Sequence, residues 1–369
     1  MNAVTPAPNA FTTVPLAGLP TPALLIDHDR LVRNIEEMSA LAASAGVRLR
    51  PHFKASKCLD VARLQLDHGA IGFTCATAAE VTALLEAGIR DLIWAHQPVG
   101  PAKVDFAVRA GVPVALDSVE VARPLAAAAR AAGRRQPYLI EVDTGLGRAG
   151  VAPEDALALA AELAALPSLE LRGVLTHEGH LMTYLGDRPG MDKAGTLVGE
   201  VLAGVAAELR AAGHPCEIVS VGSTPGATTA PFVPGVTEAR AGTYVFYDGN
   251  QVALGTAGLS RTALTVLTRV VSTPREGVAI VDAGLKAMSS DASVTGSGFG
   301  LVIDRPSLTF AKANEEHGYL TGEGVAALRV GDLLRILPNH GCGVVNMWSR
   351  AHVVEGDTAV ARWPITGRH

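Results

Sequence analysis

The chain has 369 residues, of which 48% are hydrophobic and 18% charged, with a formal net charge of −5. That describes a globular protein long enough for two domains, or for one large barrel with an addition. It gives no electrostatic reason to expect nucleic acid or an anionic membrane as a partner. No run approaches the ~18 uninterrupted apolar residues that a membrane span needs. The cysteines, Cys58, Cys75, Cys216 and Cys342, are dispersed and form no CxxC pair, as expected of reduced thiols in a cytoplasmic protein.

Residues 1–20 are rich in Pro, Ala and Thr and lack a basic start followed by an apolar core, so they read as a loose arm rather than a signal peptide. From residue 21 to about 255 one unit recurs: an Ala-rich helical stretch ends in glycine and a short β-type run follows. The terminating glycines are Gly46, Gly69, Gly88, Gly111, Gly133 and Gly213, each suited to the left-handed residue after a helix end. The runs are Val47–Pro51, Ile71–Cys75, Leu92–Ala95, Pro113–Leu116, Tyr138–Val142, Leu169–Leu175, Glu217–Val221 and Arg240–Phe246. Short apolar runs bounded by turn residues suit strands buried on both faces. Alternation with helices at roughly 20–25 residues predicts a (β/α)8, TIM-type barrel, with a doubly wound open sheet as the alternative. Pro124 weakens one predicted helix.

The texture changes near residue 255. From 256 to 369 there are no long Ala-rich stretches, and β-type runs appear at Thr265–Val271, Val278–Val281, Leu301–Ile303, Leu333–Leu337 and Ala351–Val354. This predicts a second, mostly antiparallel β domain packed closely on the barrel.

Barrel chemistry sits at the carboxyl ends of the strands. Those ends carry Lys54, Thr74 with Cys75, His96, Asp117, the stretch Asp143 to Arg148, His177, Gly222 to Thr224, and Gly242 to Tyr244. Lys54 lies in Arg50-Pro51-His52-Phe53-Lys54-Ala55-Ser56-Lys57, where a strand hands over to a helix and a partly desolvated amine becomes a nucleophile. Taken alone, it could be an ordinary surface lysine, and His96 an ordinary core histidine. Gly222-Ser223-Thr224-Pro225-Gly226 and Gly242-Thr243 offer backbone N–H groups and hydroxyls that can cradle a phosphate. A phosphate cradle beside a strand-end lysine suggests pyridoxal 5′-phosphate (PLP). His340 and Cys342 are two apart, so on a strand they would share a face. They could ligate a metal, or be a histidine near a buried thiol.

Pro51-His52-Phe53-Lys54 with Lys57 resembles the cofactor-lysine motif of the D-serine dehydratase and D-threonine aldolase family, PLP enzymes on an alanine-racemase-like barrel. Asp143-Thr144-Gly145-Leu146-Gly147-Arg148-Ala149-Gly150 resembles that family's barrel arginine motif. Val281-Asp282-Ala283-Gly284-Leu285-Lys286, Glu316-His317-Gly318 and Pro338-Asn339-His340-Gly341-Cys342 resemble its second-domain motifs. The resemblance spans roughly residues 20–365 and implies roles at matching positions. Lys54 would hold PLP as an imine, with Arg148 near the phenolic oxygen and His177 near the pyridine ring. Gly222, Ser223, Thr224, Gly242 and Thr243 would hold the phosphate, and Tyr244 would border that pocket. His340 and Cys342 would bind a divalent metal. Thiolate favours Zn²⁺, whereas the family's carboxylate variant suits Mn²⁺ or Mg²⁺ better.

Two departures, Ser56 for a common histidine and Glu178-Gly179-His180-Leu181-Met182, leave the substrate open. The resemblance implies a lyase on a small D-3-hydroxy amino acid and a homodimer. In this family His-x-Cys leans towards dehydratases and His-x-Asp towards aldolases. A racemase, a non-catalytic PLP carrier and a PLP-free metal-dependent barrel enzyme are the rivals.

Overall fold

A computed structural model describes residues 11–368 except 297. Residues 1–10 of the expected arm lie outside the described residues. The rest of the arm is tied down. β1 (Val14–Pro15) pairs with Ala359 and Thr358, and β2 (Ala23–Asp27) begins just beyond it.

Eight parallel strands follow: β3 (Arg48–Leu49), β4 (Phe73–Cys75), β5 (Leu92–Trp94), β6 (Val114–Leu116), β7 (Gln136–Glu141), β8 (Leu169–Leu175), β9 (Ile218–Val221) and β10 (Glu238–Ala239). Their order is β3-β10-β9-β8-β7-β6-β5-β4. The two ends meet through a parallel His52–Thr74 bridge and the bond from Ile71 N–H to Leu49 O, 2.9 Å. The barrel expectation therefore holds, and the open-sheet alternative falls. All the terminating glycines named above have positive φ, from 63° at Gly133 to 95° at Gly69. The helix Val119–Ala131 continues through Pro124.

Alternation along the strands explains their continuous apolar character. Ile93, Ala115, Leu139, Leu175 and Ile218 form one small cluster. Trp94, Leu116, Ile140 and Val219 belong instead to the large core shared with the surrounding helices. Successive residues thus serve opposite faces, and both faces are dry.

The eighth strand is a correction. It occupies Glu238–Ala239, not Arg240–Phe246, and Thr243–Val245 forms a 3-10 turn. The backbone leaves the ladder at Gly242 because it turns inward at the barrel mouth, where its N–H groups lose strand partners.

The second sheet contains β11 (Leu264–Arg275), β12 (Val278–Val281), β13 (Leu301–Val302), β14 (Leu308–Ala313), β15 (Gly318–Gly322), β16 (Leu333–Leu337), β17 (Arg350–Glu355) and β18 (Thr358–Pro364). β11 pairs with both β12 and β16, so β11-β12-β15-β14-β13-β16 closes on itself. From β11 the sheet extends through β2, β17 and β18 to β1. Residues 23–27 are thus structurally part of the second sheet, although they precede the barrel in sequence. Every pairing in this sheet is antiparallel except β2 with β17.

The seam between β3 and β10 carries a buried ion pair. Arg50 Nε lies 2.9 Å from Glu238 Oε2, and Nη2 lies 3.1 Å from Oε1. Its Nη1 reaches Asp91 Oδ1 at 2.6 Å. Burial alone would lower the Arg50 pKa, but hydrogen bonds and charge from Glu238 and Asp91 raise it, so the guanidinium stays charged. Removing one partner of a buried pair strands the other. Glu238→Ala should therefore lose about 3–5 kcal/mol of unfolding free energy in urea titration, whereas Arg63→Ala, which breaks an exposed pair with Asp60, should lose under about 1 kcal/mol.

Candidate active site

Lys54 sits in a 3-10 turn, Phe53–Ala55, rather than on an extended strand. His52 caps that turn, its Nδ1 accepting from Lys54 N–H at 3.4 Å. The two side chains line one wall of a cavity of about 340 Å³ at the carboxyl end of the barrel. Among the described residues no hydrogen bond or ion pair engages Lys54 Nζ. Its neighbour Lys57 is occupied: Nζ contacts Glu80 Oε1 at 3.1 Å and donates to Gly367 O at 2.9 Å. Lys286 is exposed and pairs with Glu315 and Glu316, 3.0 Å each. Of these three lysines, only Lys54 presents a free amine to the cavity.

The opposite wall is built by the turns after β9 and β10. Gly222, Ser223, Thr224, Gly242 and Thr243 all line the cavity. Gly222 N–H is already given to Glu178 Oε1 at 3.1 Å. The N–H groups of Ser223, Thr224, Gly242 and Thr243 have no partner among the described residues. Thr224 is buried and the other three are partly buried, and four such donors without a protein partner on residues lining one cavity suit an anion. A Cβ at Gly222 would stand 2.7 Å from Arg240 Cβ, and one at Gly242 would stand 3.0 Å from His52 Cβ. Glycine is what lets both turns come this close.

His177 lines the cavity and its Nδ1–H donates to Gly222 O at 2.6 Å. Burial pushes its pKa down to about 3, with the Lys54 charge adding to the effect, so the ring is neutral. Burial also holds His52 well below the usual imidazole range.

His340 and Cys342 form the remaining wall, and both come from the second domain of the same chain. The expected strand geometry is corrected. β16 ends at Leu337, and His340 is the N-cap of a helix, Gly341–Met347, so Cys342 lies in its first turn. Asp248 fixes this arrangement from the barrel side. Its Oδ2 accepts from Gly341 N–H at 2.9 Å and from His340 Nδ1 at 3.1 Å, while the His340 ring also hydrogen-bonds Cys342. Burial would raise the Cys342 pKa, but His340 lowers it overall, and Cys342 in turn raises His340 to about 11. Each group thus favours the charged form of the other, and thiolate is the metal-binding form of cysteine. Among the described residues no group of three or more His, Cys, Asp and Glu side chains could hold a metal. Two protein ligands, with a carboxylate behind the histidine, fit a metal that keeps open positions.

Three expected positions stand apart. Tyr244 is buried off the cavity, its hydroxyl accepting from Gln65 Nε2 at 2.8 Å, and only its backbone N–H touches the site, through Thr224 Oγ1 at 3.1 Å. Arg148 is exposed at the rim, 3.6 Å from Glu141. His96 is exposed and stands edge-on to Trp94. Residues that sequence reasoning missed include Arg240, Asp248, Asn250, Gln251 and Asp291. Arg240 is buried behind the phosphate-type turn, with Nε on Ser220 Oγ at 2.8 Å and Nη2 on Thr176 O. A charged residue two before the Gly242 turn was the available signal for it.

A barrel with a free lysine and an anion cradle, joined to a closed β domain, defines an alanine-racemase-like enzyme. Residues 26–249 match the family model for the alanine racemase N-terminal domain, and residues 263–354 match that for a serine dehydratase domain. The D-threo-3-hydroxyaspartate dehydratase of Delftia sp. strain HT23 is 38% identical over 94% of this chain and 97% of its own. The D-threonine aldolase of an Arthrobacter species is 33% identical over 96% and 94%. The crystal structure of the D-threonine aldolase from Filomicrobium marinum superposes with a TM-score of 0.90 at 31% identity, covering 98% of this chain and 99% of the other. The chain belongs to the D-serine dehydratase and D-threonine aldolase family and is a PLP-dependent lyase.

The placement of Tyr244 makes a direct prediction. Tyr244→Phe should cost about 1 kcal/mol of stability through the lost bond to Gln65, while PLP affinity, measured by fluorescence titration, should change less than about twofold.

Proposed function

We propose that this chain is a PLP- and divalent-metal-dependent lyase that eliminates water from a D-3-hydroxy amino acid, as a D-serine dehydratase does, the resulting enamine becoming an imine that water hydrolyses to a keto acid and ammonia. The observation that carries this is the arrangement of one cavity: the free Lys54 amine lies on one wall and the His340–Cys342 pair on another. The four unpaired N–H groups suit the PLP phosphate, and the Asp248-held His340 with the Cys342 thiolate suits a metal, with Zn²⁺ the softest match.

Bound PLP supplies an electron sink at Cα, and a bound divalent ion supplies a Lewis acid for the β-hydroxyl. The chain's residues do the rest. Lys54 Nζ holds the cofactor and, once displaced, takes the Cα proton. His177 is fixed by Gly222 O and burial lowers its basicity, so it competes poorly for that proton. Asp248 holds the His340 ring at Nδ1. Solved structures of a D-threo-3-hydroxyaspartate dehydratase 35% identical to this chain include a cysteine-to-alanine variant in a metal-free form, which supports a metal role for the thiol. The second reading is retro-aldol cleavage to glycine and an aldehyde. The aldolases among the relatives favour it, but the thiol at position 342 favours the dehydratase.

Product analysis with D-serine, D-threonine and D-3-hydroxyaspartate tests the choice. Keto acid with ammonia supports the dehydratase, and glycine with an aldehyde supports the aldolase. Chelation should lower keto acid release at least ~100-fold while the PLP band near ~420 nm persists, because Lys54 holds the cofactor independently of the metal. Cys342→Ala should behave like the chelated enzyme. A full rate after chelation would remove the metal from the reaction.

A further inference from the structure

Among the charged side chains lining the cavity, Glu178 is given to Gly222 N–H and Arg240 to Ser220 and Thr176, whereas the carboxylate of Asp291 is given to neither the proposed reaction nor the phosphate turns. It lies in the loop after the short helix Leu285–Met288. The loop is held in place from several sides. Ser289 adopts φ 63°, a left-handed conformation unfavourable for a residue with a side chain. Its Oγ donates to Asp291 Oδ2 at 3.0 Å and accepts from Asp291 N–H at 3.2 Å. Asn339 Nδ2 donates to Asp291 O at 3.0 Å, and Asn250 Oδ1 accepts from Val294 N–H at 2.8 Å. Behind the carboxylate lies Gly343, where a Cβ would stand 1.9 Å from Asp291 Oδ2. The anion is therefore clamped beside Gly343, in the cavity that Lys54 also lines.

The charges around it decide what it can do. Under the reading above, Lys54 is committed to the cofactor. Arg240 is buried with Nε and Nη2 spent on Ser220 and Thr176. His177 is bonded to Gly222 O. Among the described residues the cavity lining holds no lysine or arginine besides Lys54 and Arg240, and Asp291 would meet a second substrate carboxylate in a confined cavity where like charges are poorly screened. Repulsion built against the wrong ligand is a standard source of specificity.

We infer that Asp291 is a specificity-determining residue that rejects substrates bearing a side-chain carboxylate, so that the substrates are D-3-hydroxy amino acids with neutral side chains. This rests on the PLP-lyase reading of the same cavity. It assigns a substrate class different from the acidic one in the name of the 38%-identical Delftia relative.

The test uses D-asparagine and D-aspartate, which match in shape, differ in charge and lack the β-hydroxyl, so neither can eliminate water. Their binding to the holoenzyme is read from the change in cofactor absorbance. The unaltered enzyme should bind D-asparagine at least about tenfold more tightly than D-aspartate. In Asp291→Asn, which keeps the shape and a partner for Ser289, that ratio should fall below about threefold, and Asp291→Ser should behave alike. Equal binding of the two by the unaltered enzyme, or an unchanged ratio in both variants, overturns the role of Asp291. Silence towards both amino acids in a protein that carries the cofactor overturns the D-amino-acid reading of the cavity, and this inference with it.

Discussion

The site depends on the seam where the last barrel strand meets the first. Glu238 and Ala239 pair in register with Arg48 and Leu49, and the ladder continues as Arg50 N–H to Ala239 O and His52 N–H to Ala241 O. The Arg50–Glu238 ion pair lies beneath this ladder, out of water. Because the pairing persists up to His52, the lysine turn and the Gly242 turn leave the barrel side by side. A free amine and two unpaired N–H groups then face the same space. A slip of one residue would send alternate side chains to the other face and separate them.

A second constraint is the division of labour among buried charges. Lys57 and Glu80 neutralise each other beneath the lysine turn, and Lys57 O accepts from Thr366 N–H and Gly367 N–H, which ties the last described residues to that turn. Arg50 is matched by Glu238 and Asp91. Asp248 is matched by His340 and Gly341 N–H. With these paired, Lys54 Nζ and the N–H groups of Ser223, Thr224, Gly242 and Thr243 belong to residues that line the cavity and have no protein partner among the described residues. The second domain contributes its share from within the same chain, because Pro338 O and Asn339 O receive the N–H groups of Gly249 and Asn250 at 2.9 and 3.0 Å. Those bonds lock the segment carrying His340 and Cys342 to the barrel rim.

Much of this was legible in the sequence. Helix-ending glycines and short apolar runs located the barrel strands closely, because two-sided burial leaves a composition that needs no tertiary information to read. Lys54 and the two glycine turns followed from strand-end logic. The errors are local and share a cause. At Arg240–Phe246 and at His340–Cys342, extended structure was read where the chain turns into the cavity, since apolar or alternating residues look alike in a strand and in a tight turn. Residues 23–27 fall inside the stretch 21–255 that reads as the barrel, because sequence order says nothing about which sheet recruits a strand. Tyr244 sits beside the site in sequence but points into the core, a side-chain direction set by Gln65, far away in the chain. Arg240, Asp248 and Asp291 act through partners remote in sequence, and no short motif reveals such pairings.

The central claim is that the one free lysine of the cavity carries the cofactor. Borohydride reduction of the holoenzyme followed by peptide mapping tests it most directly, because the reduced linkage survives digestion. The account predicts a single pyridoxyl group on Lys54. A pyridoxyl group on Lys57, which would require opening its buried pair with Glu80, or on the exposed Lys286, would contradict it.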